Sequence, residues 1–383
     1  MIGIRATCLT SLALGFVGGT MLKVPAQTQA RTRVTSTTVR VVKRSLTHDG
    51  NAVFVGWSPD GTSALYRDGV SDQDGALWLA AVRTGRSRLL VRGHVADAAF
   101  TPERRHILYR LSAPCCTSAI LRTDLSGRRV ARLVPAGFRL LNTQVVSSGS
   151  VDLAHALLHD GRLLLYRQHR IFAVQPGGGR ILPLSAVHLP RSAVTGDGAA
   201  EIAISPDGRW LATIGNRGVL TMSSVKTGRL AVGRIAGDVS QIAWSPDSRI
   251  LLYQTGAASG SLNALQIGTH VKRVLQRFAL ETISGFTWSP NGQTIAFAAV
   301  PTGTSVGPAS HILTVSIHGT DLRSLDTGQQ PRPELFRDQL GETSPVWSPA
   351  GHAIGYTRLY RRGRSLAAPL ASDAWIARLL PNR

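Results

Sequence analysis

The stretch Val55-Gly56-Trp57-Ser58-Pro59-Asp60-Gly61 decides the fold, because it does not occur alone. It returns as Ala99-Phe100-Thr101-Pro102-Glu103, Ala203-Ile204-Ser205-Pro206-Asp207-Gly208 and Ala243-Trp244-Ser245-Pro246-Asp247. It returns again as Thr287-Trp288-Ser289-Pro290-Asn291-Gly292 and Val346-Trp347-Ser348-Pro349-Ala350-Gly351. An eroded seventh copy, Leu157-Leu158-His159-Asp160-Gly161, keeps only the turn. Proline fixes φ at the second turn position, aspartate tolerates the third and can accept from nearby backbone N–H groups, and glycine supplies the left-handed exit. The phrase is therefore a chain reversal repeated once per structural unit. The aromatics that precede it, Trp57, Phe100, Trp244, Trp288 and Trp347, recur at a fixed position in the repeat and read as packing between units rather than as ligand contacts.

Each copy is followed by a short apolar run such as Ser63-Ala64-Leu65-Tyr66, Ile250-Leu251-Leu252-Tyr253 or Ile295-Ala296-Phe297. A variable loop comes next, then a strand that ends in a polar turn such as Arg83-Thr84-Gly85 or Lys226-Thr227-Gly228. A last short basic and apolar strand, as in Ser87-Arg88-Leu89-Leu90, completes the unit. Four strands per unit, repeated, predict an all-β, seven-bladed β-propeller of four-stranded blades. The unit from Pro345 to Leu380 has room for three strands only. Residues 38 to 46 are therefore expected to complete the last blade and remove an open edge.

These repeats resemble the WD40-like PD40 repeats of the TolB-type propeller family over nearly all of the chain after its N-terminal segment. The resemblance implies the propeller fold. It also implies the roles such propellers serve: a periplasmic interaction platform, a gating domain attached to a serine peptidase, or the scaffold of a carbohydrate-active enzyme. The short tail before the first repeat leaves no space for the α/β domain that precedes the propeller in TolB.

Arg5, the apolar stretch Ala6 to Leu22 and the small residues around Ala26 and Ala30 have the layout of a signal peptide. The expected organisation is residues 1–30 as signal peptide or uncleaved anchor, 31–37 as linker and 38–383 as one propeller domain. A secreted, periplasmic or cell-surface location follows. Cys8 precedes the apolar core, the wrong order for a lipidated cysteine. Cys115 and Cys116 are the remaining thiols, adjacent to one another, and can form a vicinal disulfide, pair with another molecule or stay reduced.

The formal net charge is +21, carried almost wholly by arginine, and this favours polyanions. In an extracytoplasmic compartment these are acidic polysaccharides, anionic surfaces and acidic protein faces. Nucleic acid is not expected there, and membrane contact is expected only through the N-terminal segment if it stays uncleaved. No Gly-x-Ser-x-Gly nucleophile elbow is present, and Ser58-Pro59-Asp60-Gly61-Thr62 lacks a residue of the sialidase Asp box. His155 and His159 would lie about 13 Å apart along a strand, too far to share one ion. No metal, cofactor or catalytic residue is expected. The loops joining second to third strands, and blade to blade, are the variable segments. Among them Arg358, Tyr360, Arg361, Arg362 and Arg364 are the expected ligand-binding residues, since arginine forks suit carboxylate or phosphate. The expectation is a monomeric, non-catalytic binding propeller for a protein or an acidic polymer. The alternative is a polysaccharide lyase or hydrolase with its residues spread over several blades.

Overall fold

The computed structural model describes residues 40–380 apart from 70–74, 112–118, 129, 136, 142–143, 146–152, 169, 185–201, 216–217, 257–259, 279–280, 302–310, 326–338 and 362–369. The expectations for residues 1–37 and for Cys115 and Cys116 lie outside the described residues. Thr35–Arg383 forms a compact unit of its own, a ring of seven antiparallel sheets. β1 (Arg40–Ser45) comes first in the chain and belongs to the last blade. Blade 1 is β2 (Ala52–Trp57), β3 (Ser63–Asp68), β4 (Leu77–Ala81) and β5 (Ser87–Val91). Blade 2 is β6 (Val95–Phe100), β7 (His106–Leu111), β8 (Ile120–Asp124) and β9 (Val130–Val134). Blade 3 takes β10 (Arg139–Leu140), β12 (Leu163–Arg167), β13 (Arg170–Val174) and β14 (Leu182–Pro183), while the intervening β11 (Gln144–Val145) joins another sheet. Blade 4 is β15 (Ile202–Ile204), β16 (Trp210–Ile214), β17 (Leu220–Ser224) and β18 (Leu230–Ala236). Blade 5 is β19 (Val239–Trp244), β20 (Ile250–Thr255), β21 (Ser261–Gln266) and β22 (Lys272–Arg277). Blade 6 is β23 (Glu281–Trp288), β24 (Thr294–Pro301), β25 (His311–Ser316) and β26 (Arg323–Ser324). Blade 7 is β27 (Gln339–Trp347), β28 (Ala353–Arg361), β29 (Leu370–Leu380) and β1.

The apolar runs after each turn are the second strands, and they are buried on both faces because every blade is stacked between two others. Leu163, Leu164 and Leu165 are consecutive and all fully buried. A continuous apolar run is what such a strand needs; strict alternation would leave a polar side chain in one of the two interfaces. The core is accordingly divided into layers, one between each pair of neighbouring blades. One layer sets Leu65 and Leu77 of blade 1 against Val95 and Ile107 of blade 2, and another sets Ala296 and Ile312 of blade 6 against Ile354 and Tyr356 of blade 7.

The repeat-locked tryptophans join these layers in a way that their hydrophobicity alone does not require. Trp288 Nε1 donates to the Ala243 carbonyl at 3.4 Å, Trp244 Nε1 to the Ala203 carbonyl at 3.1 Å, and Trp57 Nε1 to the Val346 carbonyl at 3.0 Å. Each acceptor immediately precedes the equivalent position, Trp244, Ile204 or Trp347, in the preceding blade. The indole thus fixes the height of one inner strand against the next and satisfies its own buried N–H. Trp347 Nε1 is the exception, buried without a partner among the described residues.

Ring closure is as expected from residues 38 to 46. β1 pairs antiparallel with β29 from Arg40↔Leu380 to Ser45↔Trp375, so the N-terminal strand completes the last blade. Blade 3 is where the regular pattern breaks. The eroded copy does form the turn, with Gly161 N–H donating to Leu158 O at 2.9 Å as Gly61 N–H donates to Ser58 O at 2.8 Å. The inner strand, however, does not lead directly into that turn. After β10 the chain reaches the free inner edge of blade 5, where β11 pairs with β19 through Gln144↔Ala243 and Val145↔Ile242 and makes that sheet five-stranded. It then returns through Leu153, whose amide is held by the Asp97 carboxylate of blade 2, and a single 3-10 turn, Ala154–Ala156. His155 therefore lies on that turn and not on a strand, which corrects the strand spacing assumed for the His155 and His159 pair.

Candidate functional site

The Trp-Ser-Pro-Asp-Gly turns occupy one face of the ring, and their polar groups are consumed internally. Ser58 Oγ donates to Asp60 Oδ1 at 2.6 Å, while the Thr62 amide donates to the same oxygen at 3.0 Å. The Ser58 hydroxyl, and after it the Thr62 amide and hydroxyl, hold the Asp60 carboxyl down at about 2, from an ordinary 3.8. The same serine-to-aspartate bond recurs at Ser205–Asp207 and Ser245–Asp247, and Asn291 replaces the aspartate beside Ser289. A carboxylate committed to its own turn in blade after blade is a structural group.

The opposite face carries the second-to-third-strand loops and the blade-to-blade connections. Arg358 and Tyr360 of the expected site are on β28, not in a loop, because the last blade has the longest strands of the ring. The Arg358 guanidinium lies 5.0 Å from the centre of the Trp375 ring, a cation–π arrangement, and Arg358 sits opposite Asp373 in register. Tyr360 OH donates to Asp373 Oδ2 at 2.8 Å. The other oxygen of Asp373 accepts from Thr47 Oγ1 at 2.9 Å and from the Gly50 amide at 3.2 Å. Thr47 Oγ1 in turn accepts from the Ala374 amide at 3.0 Å. Asp373 is buried at 7% exposure, so this is a latch between the segment after β1 and the last blade. Arg361 ends β28, with its side chain outside the described set, and Arg362 and Arg364 lie outside the described residues.

A second constellation on this face, at blade 5, has the opposite character. Its strand ends form one row across the sheet, with Val239 opposite Thr255, Thr255 opposite Ser261 and Ser261 opposite Arg277. An open cleft of about 440 Å³ runs along this row, with Asp238 at its inner end, Arg277 at its outer end and Phe278 in its wall. Thr255 Oγ1 and Ser261 Oγ lie 2.9 Å apart in a hydrogen bond between them. Beneath them the buried Asn263 donates from Nδ2 to Ser261 Oγ at 2.9 Å and to Thr255 Oγ1 at 3.4 Å. The remaining wall is backbone: a Cβ on Gly260 would lie 2.4 Å from Thr255 O, and Gly256 has φ +74°. Asp238 itself has φ +57° and is supported by Gly218, where a Cβ would lie 2.8 Å from Asp238 Cα. In the sequence, the only signals of this cleft are the glycines flanking Thr255 and Ser261 and the basic end of β22. Among the described residues no cluster of three or more His, Cys, Asp or Glu side chains could hold a metal ion.

No known family profile matches the chain, and no curated protein matches it in sequence. Solved structures do resemble it. An oligogalacturonate lyase in complex with manganese is similar with a TM-score of 0.55 at 13% identity, over 90% of this chain and 94% of that one. A prolyl endopeptidase is similar with a TM-score of 0.53 at 9% identity, over 87% of this chain and 51% of that one. A putative TolB from Agrobacterium tumefaciens shows a looser likeness, with a TM-score of 0.42 at 13% identity, over 90% of this chain and all of that one, 100%. The first two likenesses establish the propeller fold and nothing finer.

Proposed function

We propose that this propeller is a non-catalytic, extracytoplasmic binding module for an acidic polymer. The observation that carries the reading is the sign of the charge on the outermost strands. Arg40, Lys43 and Arg44 lie on β1, Arg88 on β5, Arg132 on β9 and Arg234 on β18. Lys272, Arg273 and Arg277 lie on β22 and Arg323 on β26, while β14 is uncharged. None of these strands carries an aspartate or glutamate. An open edge strand needs charge to discourage edge-to-edge pairing, and carboxylates would serve that purpose equally well. A single sign repeated around the rim goes beyond this need and creates a field that attracts polyanions.

Some of these cations also hold the ring together. Arg44 Nη1 donates to the Arg83 carbonyl in the outer turn of the next blade at 2.7 Å, and Arg88 reaches the Leu125 carbonyl in the same manner. A rigid ring then presents the exposed remainder at fixed spacing. Arg361, at the end of β28, and Arg362 and Arg364, which follow it in sequence, are proposed as a further polyanion contact. The export-type N-terminal segment supports an extracytoplasmic location. The test is a titration of the purified chain with a polyuronate and with a neutral polysaccharide. Saturable binding of the polyuronate that weakens as salt rises, with no new chain ends over time, is expected. Absence of binding at low salt overturns the reading, and accumulation of new chain ends replaces it with an enzyme.

A further inference from the structure

We infer that the blade 5 cleft is a subsite for an acidic oligosaccharide segment, with Arg277 taking a sugar carboxylate and Asp238 accepting from sugar hydroxyls. This rests on the acidic-polymer reading above and assigns it a place. Asp238 and Arg277 are both exposed, both line the cleft, and neither side chain has a hydrogen-bond or ion-pair partner among the described residues. Elsewhere on this face carboxylates are engaged: Asp373 has three donors, and Asp68 accepts from Trp78 Nε1 at 3.1 Å.

The register explains why the two charges do not pair with one another. Asp238 precedes the innermost strand and Arg277 ends the outermost. Three strand spacings separate the ends of the row, roughly 14 Å between backbones. That separation also selects the ligand. A free amino acid carries its ammonium and carboxylate only a few bonds apart and cannot meet both ends. A chain of sugar rings can, with hydroxyls at one end and a carboxylate at the other.

The middle of the row fits the same ligand. Thr255 and Ser261 offer a hydroxyl pair held in place from below by Asn263, while Phe278 is turned into the core against Phe297 and closes the base of the cleft. The volume of about 440 Å³ is within the range of small-ligand sites. Glycine at 256 and 260 keeps the wall free of side chains, so a ring can approach the backbone. The outer end of the row is continuous with β22, the strand that also carries Lys272 and Arg273. A polymer drawn to that basic edge therefore has its next residues at the mouth of the cleft.

The test uses short oligomers of a hexuronic acid, neutral oligomers of the same linkage and free amino acids as probes of the intact chain and two variants. Arg277→Gln is expected to weaken uronic-acid oligomer binding about tenfold, the loss of one charge-assisted hydrogen bond, while the neutral oligomer is unaffected. Asp238→Asn is expected to weaken both oligomers. Thermal unfolding of the two variants should match the parent chain, since both side chains are exposed. If long polyuronate binds and both variants still hold the short oligomer as the parent does, the cleft is overturned and the acidic-polymer reading stands. If long polyuronate does not bind either, both fall. Binding of a free amino acid as tight as that of the oligomer overturns the sugar assignment.

Discussion

Two carboxylates on the same face of the ring show how differently one chemical group is used. Asp373 is buried in β29, and its two oxygens accept from Thr47, Gly50 and Tyr360. Asp238 stands at the entrance to β19, exposed, with a left-handed backbone and no partner among the described residues. The first resolves the local problem of the closure, where the chain must pass from β1 into blade 1 while staying attached to the last blade. The second resolves nothing within the fold. A buried charge without donors would cost several kcal/mol, so Asp373 must be matched; an exposed one costs little and can be left for a ligand. The same contrast holds for arginine: Arg358 is spread on the Trp375 ring, whereas the Arg277 side chain ends its strand with no partner among the described residues.

The largest effect should come from breaking the matched member. Asp373→Ala leaves the Thr47 hydroxyl, the Gly50 amide and the Tyr360 hydroxyl without their acceptor, and about 3–5 kcal/mol of stability should be lost in urea unfolding. Asp238→Asn, which keeps a residue that tolerates the left-handed backbone, should stay within about 0.5 kcal/mol of the parent in the same assay, and equal losses at the two positions would erase the distinction. Tyr360→Phe removes one donor from Asp373 and should cost about 1.5 kcal/mol, leaving the other two bonds in place. A change near zero would mean that the tyrosine only covers the latch.

Asp60 adds an intermediate case, partnered yet exposed, and gives the smallest effect. Its folded-state value of about 2 lies below the ordinary 3.8, so its contribution is fully present above pH 3.8 and fades as pH falls through 2. Asp60→Asn should therefore differ from the parent in melting temperature at pH 5 and converge with it towards pH 2. Asn291 already accepts from Ser289 at 2.7 Å in blade 6, which shows that an amide can occupy the turn. A gap that does not change with pH would assign the difference to something other than the carboxylate.

The parts of this protein that could be read in the sequence are those decided by neighbouring residues. Ser58-Pro59-Asp60-Gly61 closes its own turn through bonds within six residues of chain, from Ser58 to Ser63, and a turn repeated at a regular spacing carries the blade with it. Closure by residues 38 to 46 was legible for a related reason, since the last unit lacked one strand and the first had one to spare. The indole-to-carbonyl bonds between blades were not legible, because a tryptophan in a repeat announces packing but not the acceptor its N–H will find one blade away.

The placement of Arg358 and Tyr360 was not legible. An arginine-rich run reads as a loop when its strand partners are unknown, and the pairing of β28 with β29 places Arg358 and Tyr360 on a strand, beside Trp375 and Asp373. The excursion to β11 was not legible either, since two residues that pair across blades leave no periodic signal. The sequence by itself thus determined the turns, the number of blades and the strand that closes the ring, because all three follow from local chemistry repeated. Only the tertiary structure decided which charges are satisfied and which are left open. Asp238 and Arg277 share a row because the paired ends of four strands meet there, beyond register shifts in two of the three pairings, and no stretch of chain short enough to read contains both.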